Sequence, residues 1–243
     1  MKHALKDKVI VITGASSGIG EAMARLYSKM GARVVLGARN EEKLAELVQT
    51  IRSEGGKAVY VATDVTKEED CRRLIERAVE EFGGVDVMIC NAGISMRALF
   101  DEVEMSVLRR VMDVNFWGTV YCTKFALPWL LKSKGSVVGV ISIAGYAGLP
   151  GRTGYSTSKF AVRGFLDTLR LEHLHDGLHV MVFSPGYTAS NIRHSALLAD
   201  GSQQGCTPKD ESKLMTAEAV AQKLAIEYRG PMVGIVVILP MEA

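Results

Sequence analysis

Short apolar runs alternate with longer amphipathic segments along most of this chain. The runs are KVIVI at 8–12, RVVLG at 33–37, AVYVA at 58–62, VDVMIC at 85–90, SVVGVIS at 136–142, HVMVFS at 179–184 and VGIVVIL at 233–239. Each is rich in valine and isoleucine with little polar alternation, the pattern of strands buried on both faces. Helical periodicity fills the intervals, for example at 19–30, 41–54, 67–82 and 218–229. Start signals mark some of these segments. Asn40 precedes Glu41 and Glu42, and Thr66 with Glu69 predicts a capping box. Crossovers of this length join parallel strands. The pattern therefore predicts an α/β fold: a doubly wound, seven-stranded parallel sheet with helices on both faces.

Linkers, internal repeats and low-complexity segments are missing from the sequence, so a single domain over residues 1–243 is expected. The regular alternation breaks at 187–215, a polar stretch with Gly201, Gly205 and Pro208. A long irregular insertion between a strand and the last helix reads as a mobile substrate lid.

Bulk properties narrow the function. The chain has 29 basic and 27 acidic residues, a net charge of +2, which does not call for nucleic acid or an anionic membrane. The pairs Arg72-Arg73 and Arg109-Arg110 read as solvated helix faces. Cys71, Cys90, Cys122 and Cys206 form no CxxC pair, which predicts free thiols in a reducing compartment. His173 and His175 lie two apart and point to different sides of a helix, so no metal site is expected. The N-terminal MKHALKDKVIVITG lacks a signal-peptide pattern. The longest uncharged stretch, between Lys134 and Arg152, holds five glycines and a proline and suits a strand and loop better than a membrane helix. A cytoplasmic location is expected.

The most informative short segment is TGASSGIG at 13–20, which directly follows the first run and opens the first helix. Gly14 allows the tight turn, Gly18 allows close approach of backbone to phosphate, and Gly20 allows helix and strand to pack. Backbone N–H groups at the helix start, backed by the helix dipole, then favour a pyrophosphate. A dinucleotide site needs a second determinant at the end of the next strand. That strand ends LGARN, with Ala38 where an acidic residue would hold a ribose hydroxyl and Arg39 beside it. An arginine there suits the 2′-phosphate of NADP(H) better than NAD(H), although Glu41 is a possible NAD-type partner.

TGASSGIG at 13–20, DV at 64–65, NAG at 91–93, VN at 114–115, Ser142, YSTSK at 155–159 and PG at 185–186 follow one another in order, with Ser142 13 residues before Tyr155. In this order and spacing the chain resembles the single-domain short-chain dehydrogenase/reductase family, which has a Rossmann fold. The segment SIAGYAGLPGRTGYSTSKFAVRGF further resembles the branch containing 11-beta-hydroxysteroid dehydrogenases. The resemblance implies a catalytic tetrad of Asn115, Ser142, Tyr155 and Lys159, with Asn115 keeping a water in a proton relay and Lys159 also holding the nicotinamide ribose. It implies cofactor contacts from Ser16, Ser17 and Ile19 (pyrophosphate), from Asp64 and Val65 (adenine), from Asn91, Ala92 and Gly93, and from Pro185, Gly186, Thr188 and Ser190 (carboxamide). It also implies a homodimer or homotetramer assembled through helices near 104–131 and 155–175. Three features depart from the family pattern: Cys90 before the NAG turn, the ending LPMEA, and the lack of a basic residue inside the glycine loop.

The chemistry of YSTSK can be argued directly. Positions four apart share a helix face, so Tyr155 and Lys159 line one side. An ammonium about 4 Å from the phenol, at an effective dielectric of about 20, would favour the phenolate by roughly 4 kcal/mol. Tyr155 is then expected to exchange a proton with an alcohol or carbonyl near neutral pH, helped by Ser142 and by the oxidised nicotinamide. The expected function is NADP(H)-dependent interconversion of an alcohol and a carbonyl on a fairly apolar substrate, with Ile143, Tyr146, Leu149, Met96 and Tyr187 around it. The alternatives are a non-enzymatic NADP-binding regulatory protein on the same fold, or another reaction at the same site such as epimerisation or dehydration.

Overall fold

A computed structural model of the protein describes residues 5–206, 214–227 and 235–237. Seven strands form one parallel sheet: β1 (Val9–Thr13), β2 (Arg33–Ala38), β3 (Lys57–Ala62), β4 (Val87–Cys90), β5 (Ser136–Val140), β6 (His179–Ser184) and β7 (Ile235–Val237). Their order across the sheet is β3-β2-β1-β4-β5-β6-β7. Winding reverses between β1 and β4, which pair from Ile10↔Val87 to Ile12↔Ile89. Open α/β sheets bind ligands in the crevice outside the carboxyl ends of the strands at such a reversal.

The helices are α1 (Gly18–Lys29), α2 (Glu41–Ser53), α3 (Glu68–Phe82), α4 (Met105–Met112), α5 (Gly118–Ser133), α6 (Thr153–Glu172) and α7 (Ala217–Glu227). The two-residue alternation of the strands divides the core. Ile10, Ile12, Leu36 and Phe183 meet Met23 and Tyr27 of α1, Leu44 and Val48 of α2, and Val220 and Leu224 of α7. Val9, Val11, Met88 and Val182 meet Cys71 and Leu74 of α3, Cys122 and Leu130 of α5, and Val162 and Leu166 of α6. Both faces are therefore covered, as the unbroken apolar runs predict. Edge strand β3 is the exception, exposed at both of its ends.

Several boundaries differ from expectation. Asn40 caps α2 by accepting the Lys43 N–H at 2.9 Å. The Thr66–Glu69 capping box does not form: α3 starts at Glu68 with Lys67 at the cap, without a side-chain cap bond. The Thr66 hydroxyl instead donates to the Asp64 carboxylate at 2.8 Å, closing a local turn that removes it from the helix start. Ser142 lies two residues beyond the end of β5, in extended backbone. Residues 207–213 of the lid, the flanks of the last apolar run at 233–234 and 238–239, and the LPMEA ending lie outside the described residues. The described part of the lid is fastened: Arg97 N–H donates to Leu197 C=O at 2.7 Å, and Leu197 N–H to Ser95 C=O at 2.9 Å.

One contact sets the position of α6. A Cβ built on Gly139 in β5 would lie 2.3 Å from Leu166 Cδ1, so only glycine lets the helix come this close to the strand. Leu166 is fully buried. Leu166→Ala removes the side chain that fills this contact and should lower unfolding stability by roughly 2–5 kcal/mol. Urea unfolding measures it, and a loss below about 1 kcal/mol would contradict the close packing of α6 on β5.

Candidate active site

The glycine turn is built from β1 and braced from β4. Gly14 has φ +66°, and a Cβ there would lie 2.9 Å from the Cα of Ala92. Thr13 fastens the two chain ends: its hydroxyl accepts the N–H groups of Asn91 (3.0 Å) and Ala92 (3.1 Å). Asn91 returns two bonds, its side-chain amide donating to the carbonyls of Thr13 (2.9 Å) and Gly14 (3.3 Å). Asn91 thus shapes the cradle, which leaves its amide little freedom to bind a ligand. A Cβ on Gly20 would fall 2.3 Å from the Gly14 carbonyl oxygen, so α1 starts hard against the turn. Sequence reasoning missed Thr13, whose only signal is its place directly before the first glycine.

Along the carboxyl edge runs a cavity of about 1490 Å³. Drug-sized ligands occupy about 300–1,000 Å³, so it has room for a dinucleotide and a substrate together. Gly14, Ser16, Ser17, Gly18, Ile19, Ala38, Arg39, Asp64, Val65, Asn91, Ala92 and Gly93 line one part of it. Ser142, Tyr155, Lys159, Pro185, Gly186, Thr188 and Ser190 line the rest of the expected set. Two expected residues, Gly20 and Asn115, do not reach the wall and act from behind it. Arg39 is exposed, lines the cavity and makes no ion pair or hydrogen bond among the described residues, whereas Glu41 stays off the wall. Asp64 accepts the Thr66 N–H at 3.1 Å as well as its hydroxyl, which fixes its orientation. A glycine cradle and a long cavity fit a nicotinamide dinucleotide.

Asn115 sits in a π-helical turn, Asp113–Trp117, between α4 and α5. The widened turn leaves its carbonyl to accept the Thr119 hydroxyl at 2.8 Å. Its buried side chain donates to Ile94 C=O (3.0 Å) and Ser158 Oγ (2.9 Å) and accepts the Ile94 N–H (2.8 Å). Asn115 therefore ties the segment after β4 to α6. Ser158, within YSTSK, is the partner that sequence reasoning passed over. Asn115 Oδ1 and Lys159 Nζ approach the same point beside Gly93, where a Cβ would lie 3.2 and 3.5 Å from them.

Lys159 is 4 % exposed, and its ammonium donates to the Val140 carbonyl at 2.9 Å. Its Nζ lies 5.8 Å from the centre of the Tyr155 ring. The ammonium is anchored to β5 by this bond, and burial is the largest influence on both groups. Burial pulls the Lys159 pKa down from 10.5 to about 8. Burial raises the Tyr155 phenol above 10.0, opposed by a hydrogen bond with the Ser142 side chain and by the charge of Arg152. Tyr155 is half-buried and faces the cavity, so water in the cavity tempers that rise. In the protein alone, the phenol is thus favoured in its protonated form, and the groups that loosen its proton are Ser142 and Arg152. Ser142 also accepts the Ala144 N–H at 3.3 Å, capping a short 3-10 turn while it faces the phenol.

The expected substrate wall is only partly present. Ile143, Leu149 and Tyr187 line the cavity. Met96 is fully buried in a separate core cluster with Val107, Val111 and Leu197. Tyr146 turns away, its ring 4.2 Å from the Arg163 guanidinium carbon. Arg97, Arg152 and Arg193 line this end instead. Arg152, three residues before Tyr155, was legible as its helix-face neighbour. The cysteines are free, three of them buried. No helix of the described residues is long and apolar enough to cross a membrane.

Comparison with known proteins agrees with this geometry. The family described as short chain dehydrogenase matches residues 8–200. An 11-beta-hydroxysteroid dehydrogenase A of Sesamum indicum is 42% identical over 187 residues, covering 76% of this chain and 53% of that protein. The chain spans about half the length of such plant relatives. An uncharacterised oxidoreductase of Listeria innocua is 36% identical over 229 residues, covering 93% of this chain and 92% of that protein. Among solved structures, an alcohol dehydrogenase from the archaeon Thermococcus sibiricus, complexed with 5-hydroxy-NADP, superposes with a TM-score of 0.84 at 26% identity, covering 96% of this chain and 95% of that one.

The buried lysine has a measurable signature. Below about pH 8 both folded and unfolded chains keep the Lys159 proton; between about 8 and 10.5 only the unfolded chain keeps it. A state that binds more protons loses ground as pH rises, so this group makes the folded state gain stability across that window. Lys159→Met removes the effect. The stability difference between wild type and variant, read by urea unfolding without cofactor, should move in favour of wild type as pH rises from about 8 to 10.5. A constant difference would show that Lys159 is not held in a low-dielectric setting.

Proposed function

The chain belongs to the short-chain dehydrogenase family, in its 11-beta-hydroxysteroid dehydrogenase-like branch, and on that premise we propose that it interconverts an alcohol and a carbonyl compound using NADP(H). The observation that carries the reading is the single cavity joining the glycine cradle and Arg39 to Ser142, Tyr155 and Lys159. The nicotinamide, when bound, would give or accept the hydride at the substrate carbon.

The chain's own residues would do the rest. Tyr155 would take the hydroxyl proton of an alcohol, or return one to a carbonyl oxygen. Ser142, hydrogen-bonded to the phenol, would hold the substrate oxygen beside it and lower the cost of the phenolate. Lys159, with its proton affinity already reduced by burial, would pass protons at near-neutral pH. Asn115 would hold the wall beside Gly93 on which that relay depends. Arg39 would take the 2′-phosphate, since its guanidinium has no partner among the described residues. Assembly into a dimer or tetramer would cover Trp117 of the π turn and Phe160 and Leu171 of α6, all exposed on the single chain. Free cysteines and a near-neutral charge balance suit a cytoplasmic protein.

Two substitutions test the reading. Tyr155→Phe should cut turnover of any accepted carbonyl roughly 10²–10⁴-fold while NADPH still binds; a variant that keeps its rate would remove the phenol from the mechanism. Arg39→Ala should weaken NADPH by about 10–100-fold and leave NADH nearly unchanged. An equal loss for both cofactors, read by fluorescence titration, would refute the phosphate assignment.

A further inference from the structure

Arg152 and Arg97 stand beside Tyr155 at one end of the cavity, with no carboxylate paired to them among the described residues. Arg152 precedes α6 directly and is half-buried. Its guanidinium makes one side-chain hydrogen bond among the described residues, from Nη1 to Ser95 Oγ at 2.5 Å. A guanidinium has five N–H donors, so most of its capacity remains. Arg97 lies alongside because Ala98 bridges to Arg152 and Ala98 N–H donates to Gly151 C=O at 3.1 Å. The Arg97 side chain has no ion pair among the described residues. The acidic residues on the cavity wall, Asp64, Glu102 and Asp113, pair with neither arginine. Arg193 adds a third positive charge nearby and donates to Thr188 C=O at 3.0 Å.

A half-buried cation without a counter-ion costs free energy, and a fold retains it where a ligand supplies the opposite charge. Burial, together with the charges of Arg97 and Arg193, makes the Arg152 proton easier to lose, while Tyr155 and Tyr187 oppose this. The cofactor already has the cradle and Arg39 at the other end of the cavity. The charge beside Tyr155 faces the space where the reacting oxygen would sit. Ile143, Leu149 and Leu197 give the same space an apolar side.

We propose that Arg152 and Arg97 bind a carboxylate of the substrate, so that the molecule acted on is an oxo acid or the matching hydroxy acid with an apolar body. This rests on the reading that Tyr155 exchanges the proton, and it adds a charged end to the fairly apolar substrate that the sequence suggests. Arg152 and Arg97 are specificity residues: they would anchor one end of the substrate while Ser142 and Tyr155 hold the reacting oxygen. Planar, two-pronged donors suit a carboxylate better than a neutral carbonyl or a hydroxyl.

The test compares acids with their own methyl esters. Benzoylformate and 3-benzoylpropionate place the carboxylate at two distances from the ketone. Each acid and its ester are titrated calorimetrically into the protein saturated with NADP⁺, a combination in which the oxidised cofactor cannot reduce the ketone. At least one acid should bind 10-fold or more tightly than its ester. Arg152→Gln should abolish that preference, Arg152→Lys should keep part of it, and Arg97→Gln, at an exposed position, should reduce it without disturbing the fold. Acids that bind no better than their esters, or that do not bind, overturn the proposal; so does a preference that survives both glutamine variants. If Arg152→Gln does not fold, Arg97→Gln decides. The readout is binding, so it separates from the proposed activity: Tyr155-dependent turnover of neutral ketones alongside equal binding of acid and ester would sink only the anionic substrate. An acid preference without any Tyr155-dependent turnover would sink only the oxidoreductase reading.

Discussion

A buried ammonium is the constraint around which the site is arranged. Lys159 is almost wholly removed from solvent and has one hydrogen-bond acceptor, the Val140 carbonyl. A cation in that position must be bonded or give up its proton, and with its pKa near 8 it stands close to the point where both happen. The backbone makes the position possible. Gly139 lets α6 settle on β5, and at Gly145 a Cβ would lie 3.1 Å from the Lys159 carbonyl, so the 3-10 turn also presses against the helix. With α6 fixed in this way, Tyr155, one turn earlier, faces the cavity beside Ser142. The geometry of Ser142, Tyr155 and Lys159 follows from how closely a helix approaches a strand, not from contacts among these three alone.

Part of this arrangement is legible in the sequence because it depends on local spacing. The apolar runs give the strands, the three glycines at 14, 18 and 20 give a turn at the start of a helix, and the four-residue step from Tyr155 to Lys159 gives a shared face. What the lysine touches is not local. Its partner Val140 is 19 residues away in the chain, and the bond exists only because β5 and α6 pack together. The same holds for Asn115, whose side chain joins Ile94 to Ser158 across a π turn that no periodicity announces. Thr13 carries two N–H groups from another strand for the same reason. Met96 and Tyr146 mislead in the opposite direction. Both lie close in sequence to cavity residues, yet one packs into a separate core and the other stacks on Arg163. Neighbourhood in sequence predicts the face of a regular element well and the direction of a loop side chain poorly.

Electrostatics give the cavity a direction. One end carries Arg39 beyond the glycine cradle; the other carries Arg97 and Arg152 beside the phenol. Asp64 lies at the cradle side, is held by Thr66 and forms no ion pair with these arginines among the described residues. A ligand that spans the cavity therefore gains most if it is anionic near both ends. A dinucleotide phosphate would serve the first end and leave the second uncompensated, which would make the substrate the source of the missing charge.

That second charge would also act on the proton. Burial keeps Tyr155 protonated, and Arg152 is one of the two groups that work against it. A carboxylate bound by Arg152 would cancel part of the guanidinium field at the phenol. The phenol would then hold its proton more firmly while an oxo acid is in place, which makes it a weaker acid towards a carbonyl oxygen and a stronger base once ionised. A neutral ketone would leave the Arg152 field intact and the phenol more acidic. The same arginine that selects an anionic substrate would thus also set how readily the phenol parts with its proton, so substrate recognition and proton transfer would be linked by one contact.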